Sequence, residues 1–288
     1  MTNDLDFGGG SHTPIGGERD EQWNDFWGTF DGGGYQILNV KVEGDTYVGI
    51  FGRVSSATIK NLTLGGSSIV SGKSSTGGFV GRGIAMNMDN CHVTKDVKIN
   101  ATGWETSVGI GGIIGNLDGG WYRLNDCSIR NCTNAAPITF TGRAGAQYMG
   151  GIIGYTRSEM GTTIENCYNV GAVNPIGYGG TADNCRFIGG VVGWQEEGDG
   201  TWFNNCYCGG DCTLPAKGID GSLKGVNVSG ETMRMSRISF AWDINGSIST
   251  PPTSSLDGND YFASGTKVDM TLQYTGDLAT NRQGWSGT

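Results

Sequence analysis

Gly150-Gly151-Ile152-Ile153-Gly154 and, ten residues on, Ile164-Glu165-Asn166-Cys167 form a pair of blocks that the chain repeats. The first block recurs as Val48-Gly49-Ile50-Phe51-Gly52, Gly77-Gly78-Phe79-Val80-Gly81, Gly111-Gly112-Ile113-Ile114-Gly115 and Gly189-Gly190-Val191-Val192-Gly193. The final glycines lie 29, 34, 39 and 39 residues apart. The second block follows as Ile59-Lys60-Asn61-Leu62, Met88-Asp89-Asn90-Cys91, Ile129-Arg130-Asn131-Cys132 and Phe203-Asn204-Asn205-Cys206. Leu124-Asn125-Asp126-Cys127 competes for the third copy, and the later register is preferred. A strand-like piece such as Val97-Lys98-Ile99 or Pro137-Ile138-Thr139-Phe140 often comes next. Three short strands between Gly and Asn corners cannot bury a core of their own. Stacked, with like positions falling above one another at ~4.8 Å, they can. The expected fold is therefore all-β, a parallel β-helix (solenoid) of about five to six coils with capping segments.

The stacking assigns faces. Ile, Val and Phe of the glycine block, Ile of the second block, and Leu62, Cys91, Cys132, Cys167 and Cys206 should line the interior, with cysteine acting as a small apolar group. Asn61, Asn90, Asn131, Asn166 and Asn205 should hold a left-handed corner, each amide bonding to its equivalent in the next coil. Asn61 and Asn131 also fit the glycosylation pattern, a reading discounted at buried corners. Strand alternation carried past the cysteines turns Tyr168 and Tyr207 outward, with His92 in the same column.

Composition agrees. Of 288 residues 53 are Gly and 6 Pro, and Val plus Ile number 37 against 11 Leu, a bias toward strands. The glycines keep no triplet period, which excludes collagen. No apolar run approaches the ~18 residues of a membrane-spanning helix. A net charge of −9 offers no footprint for nucleic acid or an anionic membrane. The eight cysteines do not have the spacing of a small disulfide scaffold. Met1-Thr2-Asn3-Asp4-Leu5-Asp6 lacks the basic and apolar regions of a signal peptide.

Over roughly residues 13 to 212 these blocks resemble bacterial surface proteins carrying the GLUG motif, named for its Gly-Leu-any-Gly core. Pro14-Ile15-Gly16 and Phe26-Trp27-Gly28-Thr29-Phe30-Asp31-Gly32-Gly33-Gly34-Tyr35-Gln36-Ile37-Leu38-Asn39-Val40 resemble that family's entry into its first coil. Ile, Phe or Val stands where Leu would be, which keeps the packing. The resemblance implies a right-handed parallel β-helix in a secreted or surface-anchored adhesin-like protein. It implies no catalytic residues. The expected organisation is an N-terminal cap over 1–25, the β-helix over 26–212, a C-terminal cap over 213–245, and a linker and strand tail over 246–288. The cap would hold a short helix within Ser229–Trp242, and Lys267–Tyr274 alternates as a half-buried strand. The tail either packs on the solenoid or belongs to a neighbouring domain.

Chemistry is expected in the insertions that lengthen the later coils, because solenoid insertions collect on one face. One set precedes the glycine block (101–107, 142–148, 177–183) and another follows it (116–123, 155–160, 194–202). Stacking would bring Trp104, Trp121, Tyr122, Tyr148, Tyr155, Trp194 and Trp202 onto one aromatic and polar surface. Such rings stack on the apolar faces of sugars or anchor a protein partner. The alternative is that they fold back and seal the flank.

Neither His12 nor His92 has zinc-ligand spacing, and Cys91 and His92 should face opposite ways, against a nucleophilic pair. Cys206, Cys208 and Cys212 are the one local thiol cluster, with Asp211 or Cys185 as a fourth ligand if metal were held. Buried thiols or a terminal disulfide are the preferred reading, and Glu196-Glu197-Gly198-Asp199 reads as a solvated loop. No cofactor or metal is expected. The functional expectation is a non-catalytic adhesion or interaction module, extracellular or at the cell surface, binding a host or cell-envelope glycan or protein. A structural stalk is one alternative. A polysaccharide lyase or glycosidase is the other, with Asp118, Glu159, Glu196, Glu197 and Asp199 as carboxylates beside Arg123, Arg143 and Arg157.

Overall fold

The computed structural model describes residues 1–19, 22–103, 108–119, 127–141, 147–157, 161–175, 187–195, 201–204 and 206–208. They form an all-β stack in which each repeat hydrogen-bonds to the next in parallel, giving a β-helix-like solenoid.

Four parallel sheets run along the stack. The asparagine sheet carries the second block, through strands Thr58–Gly65, Asn87–Val93, Cys127–Arg130, Thr162–Glu165 and Thr201–Asn204. Met88 pairs with Ile59 on one side and Ile129 on the other, which fixes the later of the two competing registers. A middle sheet follows, with Val42, Val70, Ile99, Ile138 and Val173 in one buried column. Next come a short sheet (Thr76–Gly77, Val108–Gly111, Gln147–Gly150, Phe187–Gly189) and a flank sheet. The flank sheet holds Phe51–Ser55, Val80–Ile84, Ile114–Asp118, Ile153–Arg157 and Val192–Gln195.

Short and flank strands are joined by the glycine block, and the reason for its glycines is space. A Cβ on Gly115 would stand 2.6 Å from the Gly81 carbonyl oxygen and 2.7 Å from the Thr76 nitrogen. One on Gly193 would stand 2.5 Å from the Gly154 carbonyl oxygen. The two strands of each coil, and those of the coil beside it, approach so closely that no side chain fits between them.

The interior is as expected. Cys91, Cys132, Cys167 and Cys206 are buried free thiols, each donating to a backbone carbonyl, as Cys167 does to Glu165 at 3.2 Å and Cys206 to Ile164 at 3.3 Å. Cys127 is a fifth, donating to the Met86 carbonyl at 3.1 Å. Asn61, Asn90, Asn131 and Asn166 all have φ between 52° and 56°, the left-handed corner.

One assignment is reversed. Thr63, His92, Thr133 and Tyr168 form one register column with Tyr207, and the first four are buried, Tyr168 completely. Beyond the corner successive residues are all buried, Cys91, His92 and Val93 as well as Cys167, Tyr168 and Asn169, so period-two alternation from the cysteines does not report exposure there. The next column is buried as well. Asn134 donates to the Asn169 side-chain oxygen at 2.8 Å, and each asparagine closes a local turn onto the residue two positions on.

The segment expected to cap the stack joins it. Leu5–Asp6 pairs with Ile37 and Leu38, and Ser11–His12 with Lys41 and Val42. Ile15 and Phe26 bridge to Phe51 and Val54, and an antiparallel hairpin, Gly17–Arg19 with Gln22–Asn24, is inserted between them. The helix expected within Ser229–Trp242, the linker and the strand Lys267–Tyr274 lie outside the described residues.

Candidate ligand-binding flank

The outer column of the flank sheet reads Arg53, Arg82, Asn116, Tyr155, Trp194 in register, every one half-buried. Beside it runs Ser55, Ile84, Asp118, Arg157. The column changes character along the axis, from guanidinium to amide to aromatic ring.

At the aromatic end the structure brings together three of the seven residues predicted from sequence. Tyr148 is the second residue of its short strand, in the register position of Gly109. Its ring lies 5.1 Å from that of Tyr155 and 5.9 Å from that of Trp194, nearly parallel to the indole at 28°. These are ordinary distances for attractive offset stacking. Trp202 stands in strand Thr201–Asn204 of the asparagine sheet, opposite Thr163, and so belongs to another sheet. Trp104, Trp121 and Tyr122 lie outside the described residues.

In the middle of the flank, Asp118 is buried and receives Arg82 in a forked contact, Nε at 2.9 Å and Nη2 at 2.6 Å, with Arg157 at 3.6 Å. The Arg82 Nη1 donates to the Tyr47 hydroxyl at 2.9 Å, and the guanidinium carbon lies 5.5 Å from that ring's centre. Burial disfavours the Arg82 charge, but the Asp118 carboxylate more than offsets it, holding the guanidinium above its ordinary pKa. Asp118, a candidate carboxylate of the 116–123 insertion, ends a strand and is committed to two arginines. Glu159, Glu196, Glu197, Asp199, Arg123 and Arg143 lie outside the described residues.

His92 serves the corner. Its Nε2 lies 2.9 Å from the Asn90 side-chain oxygen and its Nδ1 2.9 Å from the Thr133 hydroxyl. An amide oxygen needs a donor, which places the proton on Nε2 and leaves Nδ1 to accept from Thr133. The Asn131 amide accordingly donates to Asp89 at 2.7 Å, whereas Asn90 donates to Asn61 at 2.7 Å and Asn166 to Asn131 at 3.2 Å. Burial also pushes the Cys132 thiol well above its ordinary pKa, so it is a packing group with little thiolate character. Cys206 has the same packing role, and Cys185, Asp211 and Cys212 lie outside the described residues. Among the described residues no group of three or more His, Cys, Asp or Glu side chains is placed to hold a metal ion.

Comparison with known proteins gives a fold and no family. No family model matches the chain, and no curated protein does. A solved structure from Bacteroides ovatus, named a candidate immunoglobulin A1 protease, is similar over 73% of this chain, with a TM-score of 0.51 and 22% identity. The chain spans 59% of that protein's length. At this identity the likeness carries the architecture alone.

The N-terminal turns hold features that the sequence pattern did not single out. Trp27 is 66% exposed, while its neighbour Phe26 packs its ring 5.1 Å from Phe51. The signal was present: in the Phe26-Trp27 doublet the first ring bridges onto the stack at Val54 and the second is left exposed.

Proposed function

We propose that this chain is a non-catalytic binding module of a secreted or cell-surface protein, built as a right-handed parallel β-helix of five to six coils in the manner of the GLUG-motif proteins. Its ligand would be a glycan or protein on a host or cell envelope. The observation that supports this most directly is the Tyr148–Tyr155–Trp194 cluster, three amphipathic rings from separate strands gathered on the outer face of the flank sheet. Rings arranged that way present a broad π surface at low conformational cost.

The catalytic readings find less support. Asp118 is held by two arginines instead of facing a second carboxylate. The His92 ring nitrogens are engaged by Asn90 and Thr133, and the Nε2 of His12 lies 3.0 Å from the Ile50 carbonyl. The Bacteroides protein's name and greater length favour one second reading, in which this fold is an accessory part of a longer surface peptidase.

A glycan array with wild type and with Tyr155→Ala and Trp194→Ala decides the matter. Binding lost in both variants, with no reducing ends released from polysaccharide and no cleavage of immunoglobulin A1, is the expected result. Wild-type silence on glycans and on cell-envelope protein would leave a structural spacer instead. Turnover of either substrate would overturn the non-catalytic assignment.

A further inference from the structure

We infer a second binding site, separate from the Tyr148 cluster and at the other end of the same flank: an open groove for an uncharged saccharide, with Trp27 as its platform. The groove encloses about 1010 Å³ and is lined among others by Asn24, Asp25, Trp27, Glu43, Thr46 and Tyr47. It exists because the hairpin Gly17–Arg19/Gln22–Asn24 stands out from the stack between Ile15 and Phe26, making one wall. The turn between the middle and short sheets, residues 44–47, makes the other. A hollow of about 420 Å³ continues past it, sharing Glu43 and Gly44.

Three independent features assign the ligand class. The first is the exposed indole. Phe26 is partly buried against Phe51 while Trp27 is 66% exposed, so an apolar ring face is presented to water inside a concave, polar surface. That pairing of a flat apolar face with hydroxyl-seeking groups suits a pyranose ring, which has C–H faces and a hydroxyl rim.

The second is charge. The arginine nearest the groove, Arg53, is committed to Asp25 at 2.7 Å, and Lys73 of the adjoining hollow is committed to Asp45 at 2.6 Å. Arg82, behind Tyr47, is committed to Asp118. Among the described side chains, the basic groups beside the groove are thus already paired, and Glu43 adds an exposed carboxylate. An acidic polysaccharide would be repelled by that carboxylate, whereas Glu43, Asn24 and Thr46 can accept from or donate to neutral hydroxyls.

The third is the backbone of Tyr47. It has φ of 48°, a left-handed conformation that a bulky residue rarely adopts and that persists only where the surroundings enforce it. Arg82 fixes the side chain that this backbone carries, by a hydrogen bond to the hydroxyl and by lying against the ring. A second aromatic side chain thus lines the same groove as Trp27.

Affinity electrophoresis in gels containing β-glucan, mannan, xylan or polygalacturonate tests the inference, with wild type, Trp27→Ala, Thr46→Arg and Trp194→Ala. At least one neutral polymer should retard the wild type. Trp27→Ala should weaken that retardation tenfold or more, and Thr46→Arg, which fills the groove from an exposed position, should do the same. Both changes lie on the surface, so the thermal midpoint of each should match wild type. Loss in Trp27→Ala and Thr46→Arg with retention in Trp194→Ala supports this groove even if the Tyr148 cluster binds nothing. Retardation by polygalacturonate alone, by no polymer, or undiminished in Trp27→Ala overturns it.

Discussion

Adding a single methyl group at Gly115 should destabilise this protein more than deleting a buried sulfur atom. The Cβ of Gly115→Ala would lie 2.6 Å from the Gly81 oxygen, 2.7 Å from the Thr76 nitrogen and 3.0 Å from the Gly109 oxygen. Ordinary contact begins near ~3.5 Å, so backbone atoms on both sides must retreat by roughly 0.8 Å. Gly115 has no positive φ, so conformational strain contributes nothing and the whole effect is steric. The strands that must move are held in parallel ladders on both sides, with Ile114 paired to Val80 and to Ile153. Overpacking of this kind costs ~1–3 kcal/mol, and one weakened ladder bond adds ~1 kcal/mol, for a total of about 3 kcal/mol. That is a large part of the ~5–15 kcal/mol that stabilises a typical domain. Cys132→Ala, which removes one buried atom without forcing any backbone apart, should cost about 1 kcal/mol. Guanidinium unfolding of the two variants, read as midpoints at unchanged slope, gives the comparison. If Gly115→Ala falls within 0.5 kcal/mol of wild type, or costs less than Cys132→Ala, the close-approach account of the glycine block is wrong.

Cys91, Cys127, Cys132, Cys167 and Cys206 should resist a thiol-reactive disulfide in the folded protein and react once it is denatured, as buried thiols do. Rapid labelling of these five by mass spectrometry would mean that the interior opens. Asn134→Ala strips partners from the Ala136 nitrogen and from the Asn169 amide ladder, and should cost roughly 2–4 kcal/mol in the same unfolding assay. Arg82→Leu leaves the Asp118 carboxylate with Arg157 only; as the arginine is partly exposed, the expected cost is about 1–3 kcal/mol, with Asp118→Asn in that background recovering part of it. Asp31 accepts from the Asn61 amide at 3.1 Å and from the Gly33 nitrogen at 2.9 Å, which hold its carboxyl below the ordinary value. A depressed folded pKa means stabilisation fully present above the unfolded value near ~3.9 and lost as pH falls through the folded one. Acid should therefore loosen the Asn61 corner, and Asp31→Asn should abolish that pH dependence in an NMR titration of the Asn61 amide.

The stack could be read because it is periodic. Equal residues at equal places in Val48–Gly52, Gly77–Gly81 and their successors reported the register directly, and the cysteine column came with it. Orientation could not be read so simply. Alternation is a local rule of extended backbone, and each repeat breaks it twice, at the left-handed asparagine and at the glycine block. Cys91 and Cys167 are buried as their column predicts, whereas His92 and Tyr168, one residue further on, are buried where alternation from the cysteines predicts exposure, because every position of that short strand is covered. The interior amides of Asn134 and Asn169 were hidden for another reason: their column holds Ile37, Leu64 and Val93 in the earlier coils, and only the shared Cys-any-Asn spacing of Cys132–Asn134 and Cys167–Asn169 marked the change. Trp27 escaped because the hairpin inserted before it interrupts the first turn, and Tyr47 because the residues standing before the later glycine blocks, Thr76, Ile110, Met149 and Ile188, are not aromatic and mark no column of rings.

The glycine contact explains why the rings gather on the flank at all. Where the short and flank strands touch there is no room for a Cβ, so any larger side chain at that junction must project over the outside of the flank sheet. The Gly109 position shows the direction: a Cβ there would run into the Asn116 side chain. One coil further the same two positions are Tyr148 and Tyr155, and their rings meet at 5.1 Å. One more coil places Trp194 in the Asn116 column, beside both. The packing rule that closes the solenoid thus also sets where a substituted side chain can go. A change from small to aromatic at this junction extends an outer surface and leaves the interior untouched, so the binding face can diversify without altering the column of thiols and aliphatic groups beneath it. Asn116→Tyr is the direct test of that logic, because Gly109 itself has no room: a Cβ there would also meet the Gly115 backbone oxygen at 2.5 Å. The new ring, in the column of Tyr155 and Trp194, should add a fourth aromatic side chain to the flank and leave the unfolding midpoint within ~1 kcal/mol of wild type. A cost as large as that expected for Gly115→Ala would show that the junction has no outward route.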